Sequence, residues 1–248
     1  VRRTPLGKLM IKTGLARDAS EVEELISSRS VSVDGAIALS SGRLVAPEEN
    51  VTVLRRPRFV SRGGEKLAHA IDHFGIAVEG RRAIDIGAST GGFTDCLLQR
   101  GIASVVALDT GQNLIHERLR ADPRVVVMEG RNIRHQEEPV SGAPFDVVVV
   151  DVSFMSVKTI SNILARLVAD GGDLVVLVKP QFESSRAEAN RGEGVITDPA
   201  VHERVVLEVR DALASAGLPT VGVVESPITG QRGNVEFLLY CRRHDVPR

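Results

Sequence analysis

Asp85-Ile86-Gly87-Ala88-Ser89-Thr90-Gly91-Gly92-Phe93 closes an apolar run and opens a stretch with helical spacing, and its reading decides the fold. The three glycines let the backbone turn sharply, approach a ligand and present the free N–H groups of the next helix to it. Outward from this turn, strands are expected at Ala83–Ile86, Ser104–Asp109, Arg124–Met128, Phe145–Asp151 and Asp173–Lys179. Helices are expected at Gly64–Phe74, Gly92–Arg100, Asn113–Arg120 and Val157–Ala169. That alternation is the rhythm of a doubly wound α/β fold, a parallel sheet with helices on both faces. The end of the chain departs from it. A helix at Pro199–Ala216 leads to strands Thr220–Glu225 and Val235–Cys241, joined through the short loop Thr229–Gly233. Strands so connected run antiparallel.

Apolar residues make up 43% of the 248 and charged residues 25%, the mix of a chain that buries a core. The longest apolar runs, such as Val147–Val150 and Leu174–Val178, are far too short to span a membrane as a helix. No basic-then-apolar leader opens the sequence, so a cytoplasmic location is expected. Two cysteines, Cys96 and Cys241, build neither a disulfide framework nor a zinc site, and no structural metal is expected. With no Trp and 3% aromatics, a broad stacking surface for single strands is not expected.

Charge is distributed unevenly. Residues 1–60 carry ten Lys/Arg against seven acids, a net +3, and the remainder holds 21 bases and 25 acids, a net −4. A basic head on an acidic body suits contact with a polyanion. The head reads as a helix within Pro5–Gly14, then a helix capped by Asp18 with Glu21 in the capping-box position. A hairpin Val31–Val33, Asp34-Gly35, Ile37–Leu39 and a strand Val51–Leu54 follow. The boundary is expected at 55–61, giving a small α+β domain at 1–60 and a larger one at 61–248.

The glycine turn accommodates two ligand classes. A dinucleotide asks for G-x-G-x-x-G, but Ser89 stands at the second glycine, and Asp85 before the turn would repel a pyrophosphate. The same acid suits the ammonium of S-adenosylmethionine. Asp109, 22 residues after Gly87, is placed to hold ribose hydroxyls. Candidate cofactor residues are therefore Asp85, Gly87, Ser89, Thr90, Gly91, Gly92, Phe93 and Asp109. Met128, Arg131 and Asn132 are the alternatives for the adenine side, with Met128 and Asn132 joining the candidate set, and Asp151 is placed at the methionine end. A mostly parallel, Rossmann-like sheet with its last strand reversed is the methyltransferase variant of the fold.

Two apolar strands end in charge, at Asp151 and Lys179, where desolvation is costly unless the groups pair or act. Together with Lys66 and Glu236 they resemble the Lys-Asp-Lys-Glu set of FtsJ-type ribose 2′-O-methyltransferases. In that chemistry a lysine holds the attacking 2′-hydroxyl, while the carboxylates and second lysine orient it and balance its charge. Asp151-Val152-Ser153-Phe154 lacks the Asp/Asn-Pro-Pro-aromatic pattern of base amino methylation. Cys96 and Cys241 suit packing rather than attack on a pyrimidine carbon.

The head motif Gly14-Leu15-Ala16-Arg17, Glu24-Leu25-Ile26 and Val31-Ser32-Val33-Asp34-Gly35 resembles the S-four type RNA-binding domain. It departs from that pattern at Asp18-Ala19 and Arg29-Ser30, leaving Arg2, Arg3, Lys12, Arg17 and Arg29 as phosphate-contact candidates. The domain order is similar to the TlyA family. So are Val-Ser-Arg-Gly-Gly-Glu-Lys, Gly-Ala-Ser-Thr-Gly-Gly-Phe, Val-Lys-Pro-Gln-Phe and Gly-Asn-Val-Glu-Phe. The resemblance implies 2′-O-methylation of cytidine in ribosomal RNA, 23S and by extension 16S, within ribosomal subunits. The family's second label, hemolysin, supplies the rival expectation of a membrane-lytic protein. An RNA-binding module without catalysis is the third.

Overall fold

The computed structural model describes residues 3–54, 58–135, 140–230 and 232–244. Two compact units divide the chain, Val1–Arg62 and Gly63–Arg248. Of the expected linker, residues 55–57 lie outside the described residues.

In the first unit, α1 (Leu6–Lys12) buries Leu6 and Met10, one helical turn apart. Asp18 caps α2 (Ala19–Ser27) by accepting the Glu21 N–H at 2.9 Å. The expected capping box does not close. Glu21 instead accepts from the Arg17 backbone N–H at 2.7 Å and from its Nε at 2.9 Å. β2 (Val31–Val33) and β3 (Ala36–Ile37) form the expected hairpin, with both Asp34 (φ 49°) and Gly35 (φ 81°) left-handed as its turn requires. β5 (Val51–Val53) pairs along the other side of β2. A two-stranded pair, β1 (Thr4–Pro5) with β4 (Leu44–Val45), has no counterpart in the sequence reading. Two-residue strands carry no periodicity to read.

The second unit opens with α3 (Gly63–Phe74), then β6 (Arg82–Ile86), α4 (Gly92–Gln99) and β7 (Ser104–Leu108). Next come α5 (Glu117–Arg120), β8 (Val125–Met128), β9 (Phe145–Val150), α6 (Ser161–Leu167) and β10 (Val168–Val178). Two short helices, α7 (Pro180–Glu183) and α8 (Arg186–Arg191), precede α9 (Pro199–Ser215), β11 (Thr220–Glu225) and β12 (Phe237–Arg242). The sheet order is β11-β12-β10-β9-β6-β7-β8. β10, β9, β6, β7 and β8 are parallel neighbours, while β12 is antiparallel to both β10 and β11. Strand runs such as Val147–Val150 and Leu174–Val178 are buried throughout, as a sheet covered on both faces demands.

Three expectations are corrected. The helix expected at Asn113–Arg120 begins only at Glu117, because the N–H groups of Asn113, Leu114 and Ile115 all donate to the Glu129 carboxylate, at 2.8–3.0 Å. A carboxylate that collects three amides leaves them unavailable to a helix. The helix expected at Val157–Ala169 starts as a 3-10 turn, Val157–Ile160, and ends at Leu167; Val168 already pairs with Phe145 in the sheet. Finally, Glu236 precedes β12 rather than lying in it.

The chain reverses its direction of travel across the sheet between β6 and β9. β7 and β8 extend one way from β6, and β9 and β10 the other. Loops leaving the carboxyl ends of β6 and β9 therefore splay apart, and ligands of doubly wound folds bind in that crevice.

Candidate active site

The loop after β6 is shaped by its contacts. Gly87 is left-handed (φ 87°), and a Cβ there would stand 2.3 Å from the Asp151 carbonyl oxygen. Only glycine allows the β6 and β9 loops to approach so closely. The N–H groups of Gly87 and Ala88 donate to the Leu108 carbonyl. Gly91 (φ 96°) caps α4, and a Cβ on it would meet Leu119 Cδ1 at 2.2 Å. Ser89 and Thr90 are exposed at the rim, whereas the Phe93 side chain is buried. Of Phe93, then, only the backbone N–H in the first turn of α4 is on offer to a ligand.

Asp109 has a second task beyond the one expected. Its carboxylate accepts the N–H of Ser89 at 2.8 Å and of Gly111 at 2.7 Å, so it also sets the shape of the glycine loop. Each oxygen retains a lone pair for a hydroxyl. The Asp109 carbonyl takes the Arg131 N–H, and the Gly111 carbonyl takes that of Gly130. These bonds draw the Met128–Asn132 segment beside Asp109. Met128 is partly buried against the core, and Asn132 is half-buried with its Oδ1 accepting the Arg134 N–H at 3.0 Å.

Asp85 is fully buried. Its Oδ2 accepts from Thr94 N and Oγ1 at 2.9 and 2.7 Å, while Oδ1 has no hydrogen-bond partner among the described residues. Burial pushes its pKa up to about 7 against the pull of the Thr94 bonds, and the charges of Asp151 and Asp109 push the same way. A buried carboxylate with an oxygen to spare fits a ligand that brings an ammonium group.

The four candidate catalytic residues form two ion pairs. Lys179 Nζ lies 2.6 Å from Asp151 Oδ1 and donates to Ser153 Oγ at 2.9 Å. Lys66 of α3 is buried and donates to Glu236 Oε2. Their backbone positions are adjacent. Asp151 follows Val150 at the end of β9, Lys179 follows Val178 at the end of β10, and Glu236 precedes Phe237, the partner of Val178. Gly230 lies against Glu236, since a Cβ there would stand 2.6 Å from Oε1. Both cysteines are buried, and burial pushes the Cys241 thiol up to about 11, which keeps it protonated.

The FtsJ-like methyltransferase family model matches residues 59–243. The 16S/23S rRNA (cytidine-2′-O)-methyltransferase TlyA of Mycobacterium tuberculosis is 42% identical over 97% of this chain and 90% of its own length. The chain belongs to the FtsJ-like methyltransferases, in their TlyA branch. Hemolysin A of Brachyspira hyodysenteriae is 37% identical over 92% of this chain and 95% of its own. A solved structure from Streptococcus thermophilus, described as a hemolysin, superposes with a TM-score of 0.76 at 36% identity, covering 99% and 90% of the two chains. Among the described residues of this FtsJ-like methyltransferase, no helix is long and apolar enough to cross a membrane.

Two features of the site escaped the sequence reading. Phe154 is 91% exposed in a left-handed conformation (φ 64°), with its ring 5.2 Å from that of Phe182. Lys179 Nζ lies 5.8 Å from the Phe182 ring centre. Ser153, whose Oγ accepts from Lys179 Nζ at 2.9 Å, stands in nothing more conspicuous than a Val-Ser-Phe tripeptide. Of the head's candidates, Arg3, Lys12 and Arg29 are exposed. Arg17 is bound to Glu21, and Arg2 lies outside the described residues.

Proposed function

We propose that this FtsJ-like methyltransferase transfers the methyl group of S-adenosylmethionine to the ribose 2′-hydroxyl of cytidine in ribosomal RNA. The Asp151–Lys179 pair beside the glycine loop carries the reading. The bound donor supplies a sulfonium methyl open to in-line displacement. Gly87, Ser89, Thr90, Gly91, Gly92 and the Phe93 amide line the cofactor, Asp109 takes its ribose, and Met128 and Asn132 flank its adenine. Asp85 and Asp151 serve the methionine end.

Lys179 has three N–H donors. Ser153 takes one, and Asp151 stands 2.6 Å away as the counter-charge, which leaves donor capacity for the ribose oxygen. Through that bond Lys179 orients the hydroxyl and stabilises the charge developing on it. Lys66 and Glu236 form a buried neutral pair that adds no net charge next to the cationic donor. Phe154 offers an exposed ring face on which the target base can stack.

The head, residues 1–60, acts as an S-four type RNA-binding domain. Arg2, Arg3, Lys12, Arg17 and Arg29 supply phosphate contacts that position the substrate without reading its sequence. The substrates are ribosomal subunits in the cytoplasm, with 23S RNA as the principal target and 16S RNA as the second. The test is mass spectrometry of nucleosides from each ribosomal RNA in cells with and without the gene. Loss of 2′-O-methylcytidine in the deletion strain is expected; an unchanged nucleoside profile would sink the reading.

A further inference from the structure

Glu183 is buried, at 6% exposure, four residues beyond Lys179 at the end of α7. A carboxylate in that position needs partners, and it finds them on a different loop. Oε2 accepts the Ser156 hydroxyl at 2.5 Å, and Oε1 accepts the Val157 N–H at 2.7 Å. Ser156 Oγ in turn accepts the Lys158 N–H at 3.2 Å, so its single proton is directed at Glu183. Burial raises the pKa of Glu183, and the Ser156 and Val157 bonds and the Lys158 charge oppose that rise.

These bonds close a ring. The loop after β9 carries Asp151, Ser153 and Phe154; the segment after β10 carries Lys179, Phe182 and Glu183. The Asp151–Lys179 ion pair joins them at the strand ends, and Glu183 joins them again at Ser156 and Val157. Phe154 lies between the two joins with a left-handed backbone, a conformation that non-glycine residues keep only when their surroundings impose it.

We propose that Glu183 is a positioning residue that fixes the Ser153–Phe154 turn over Lys179, so that the target nucleotide is received in a set orientation. The proposal rests on the methyl-transfer reading for its substrate and on geometry for the clamp. It requires that losing the clamp harms capture of RNA more than binding of the cofactor or the chemical step.

The full chain contains no Trp, so Phe154→Trp installs a single fluorescent reporter on the turn. In that background Glu183→Ala and Ser156→Ala should each lower the reporter's anisotropy, and Glu183→Gln, which keeps an acceptor for Val157, should restore most of it. In the chain with Phe154 intact, Glu183→Ala should raise KM for unmodified ribosomal subunits about tenfold or more, with kcat and the Kd for S-adenosylhomocysteine changed less than about threefold. The Glu183→Ala/Ser156→Ala double variant should be no worse than Glu183→Ala alone, because both changes break one unit. Should Glu183→Ala fail to fold, Ser156→Ala removes the same bond from the other side. Wild-type KM and anisotropy in all variants would overturn the proposal. So would a joint fall in thermal stability and cofactor affinity with KM for RNA unmoved, the mark of a purely structural role. If the parent chain methylates no RNA, the functional reading fails, while the anisotropy and cofactor measurements still judge the clamp.

Discussion

The two lysine–carboxylate pairs differ in what they face. Lys66 and Glu236 have side chains 10% and 3% exposed, and they join helix α3 to the start of β12 across 170 residues of sequence. In the other pair Lys179 is as buried as Lys66, at 11%, but its carboxylate partner Asp151 is 22% exposed, and Lys179 also donates to Ser153, which precedes the exposed Phe154. A buried pair is costly to break, because the surviving charge is stranded. A pair at the rim of a crevice can change partners. One is built to hold, the other to act.

The largest effect is expected at the rim. Lys179→Ala should slow methyl transfer by about three orders of magnitude, or roughly 4 kcal/mol, and leave the melting temperature and the Kd for S-adenosylhomocysteine nearly unchanged. Turnover assays and calorimetry check this, and near-normal turnover would mean that the acting lysine is misassigned. At the buried pair the pattern should invert. Lys66→Met strands Glu236 and should cost about 3 kcal/mol of stability, read as a drop of about 6–12 °C in Tm. Lys66→Met/Glu236→Gln should recover part of that loss. A Lys66→Met variant that melts like the parent would erase the distinction between the pairs.

Asp85 sharpens the comparison, being a buried carboxylate with no lysine at all. Its pKa is raised to about 7 in the folded chain, so the cost of burying its charge vanishes well below pH 4, where both folded and unfolded forms are protonated. Stability is then lost as pH rises from 4 to 7, and the penalty is complete above that. Asp85→Asn should therefore stabilise the ligand-free chain by about 4 kcal/mol above pH 7 and little near pH 4, while weakening the binding of S-adenosylhomocysteine. Equal melting shifts at both pH values would contradict the assignment. The smallest effect is expected for fully exposed charge. Lys12→Ala/Arg29→Ala should lower the slope of log K against log salt for RNA by about 2, with Tm unchanged.

The glycine turn announced both itself and the alternating frame around it, because Gly87 and Gly91 stand where side chains would collide with Asp151 and Leu119. The Asp34-Gly35 hairpin was equally plain, since its turn asks for two left-handed residues. The short helix α5 was not. Its expected first turn is unwound by Glu129, which lies 14 to 16 residues away from the amides it collects. Glu183 was hidden for the same reason, its partners standing 26 and 27 residues upstream.

Local rules in the sequence thus determined the strand and helix order, the glycine turn and which charged residues end apolar strands. Periodicity, turn chemistry and desolvation cost act over a few neighbours and can be read from them. Tertiary structure alone decided that Lys66 would pair with Glu236 and Lys179 with Asp151. It likewise decided that Asp109 would shape the loop it was expected only to serve, and that Phe154 would stand exposed. A buried polar group takes whichever partner the fold brings within about 3 Å, and that choice is made by strand order and loop crossing rather than by spacing along the chain.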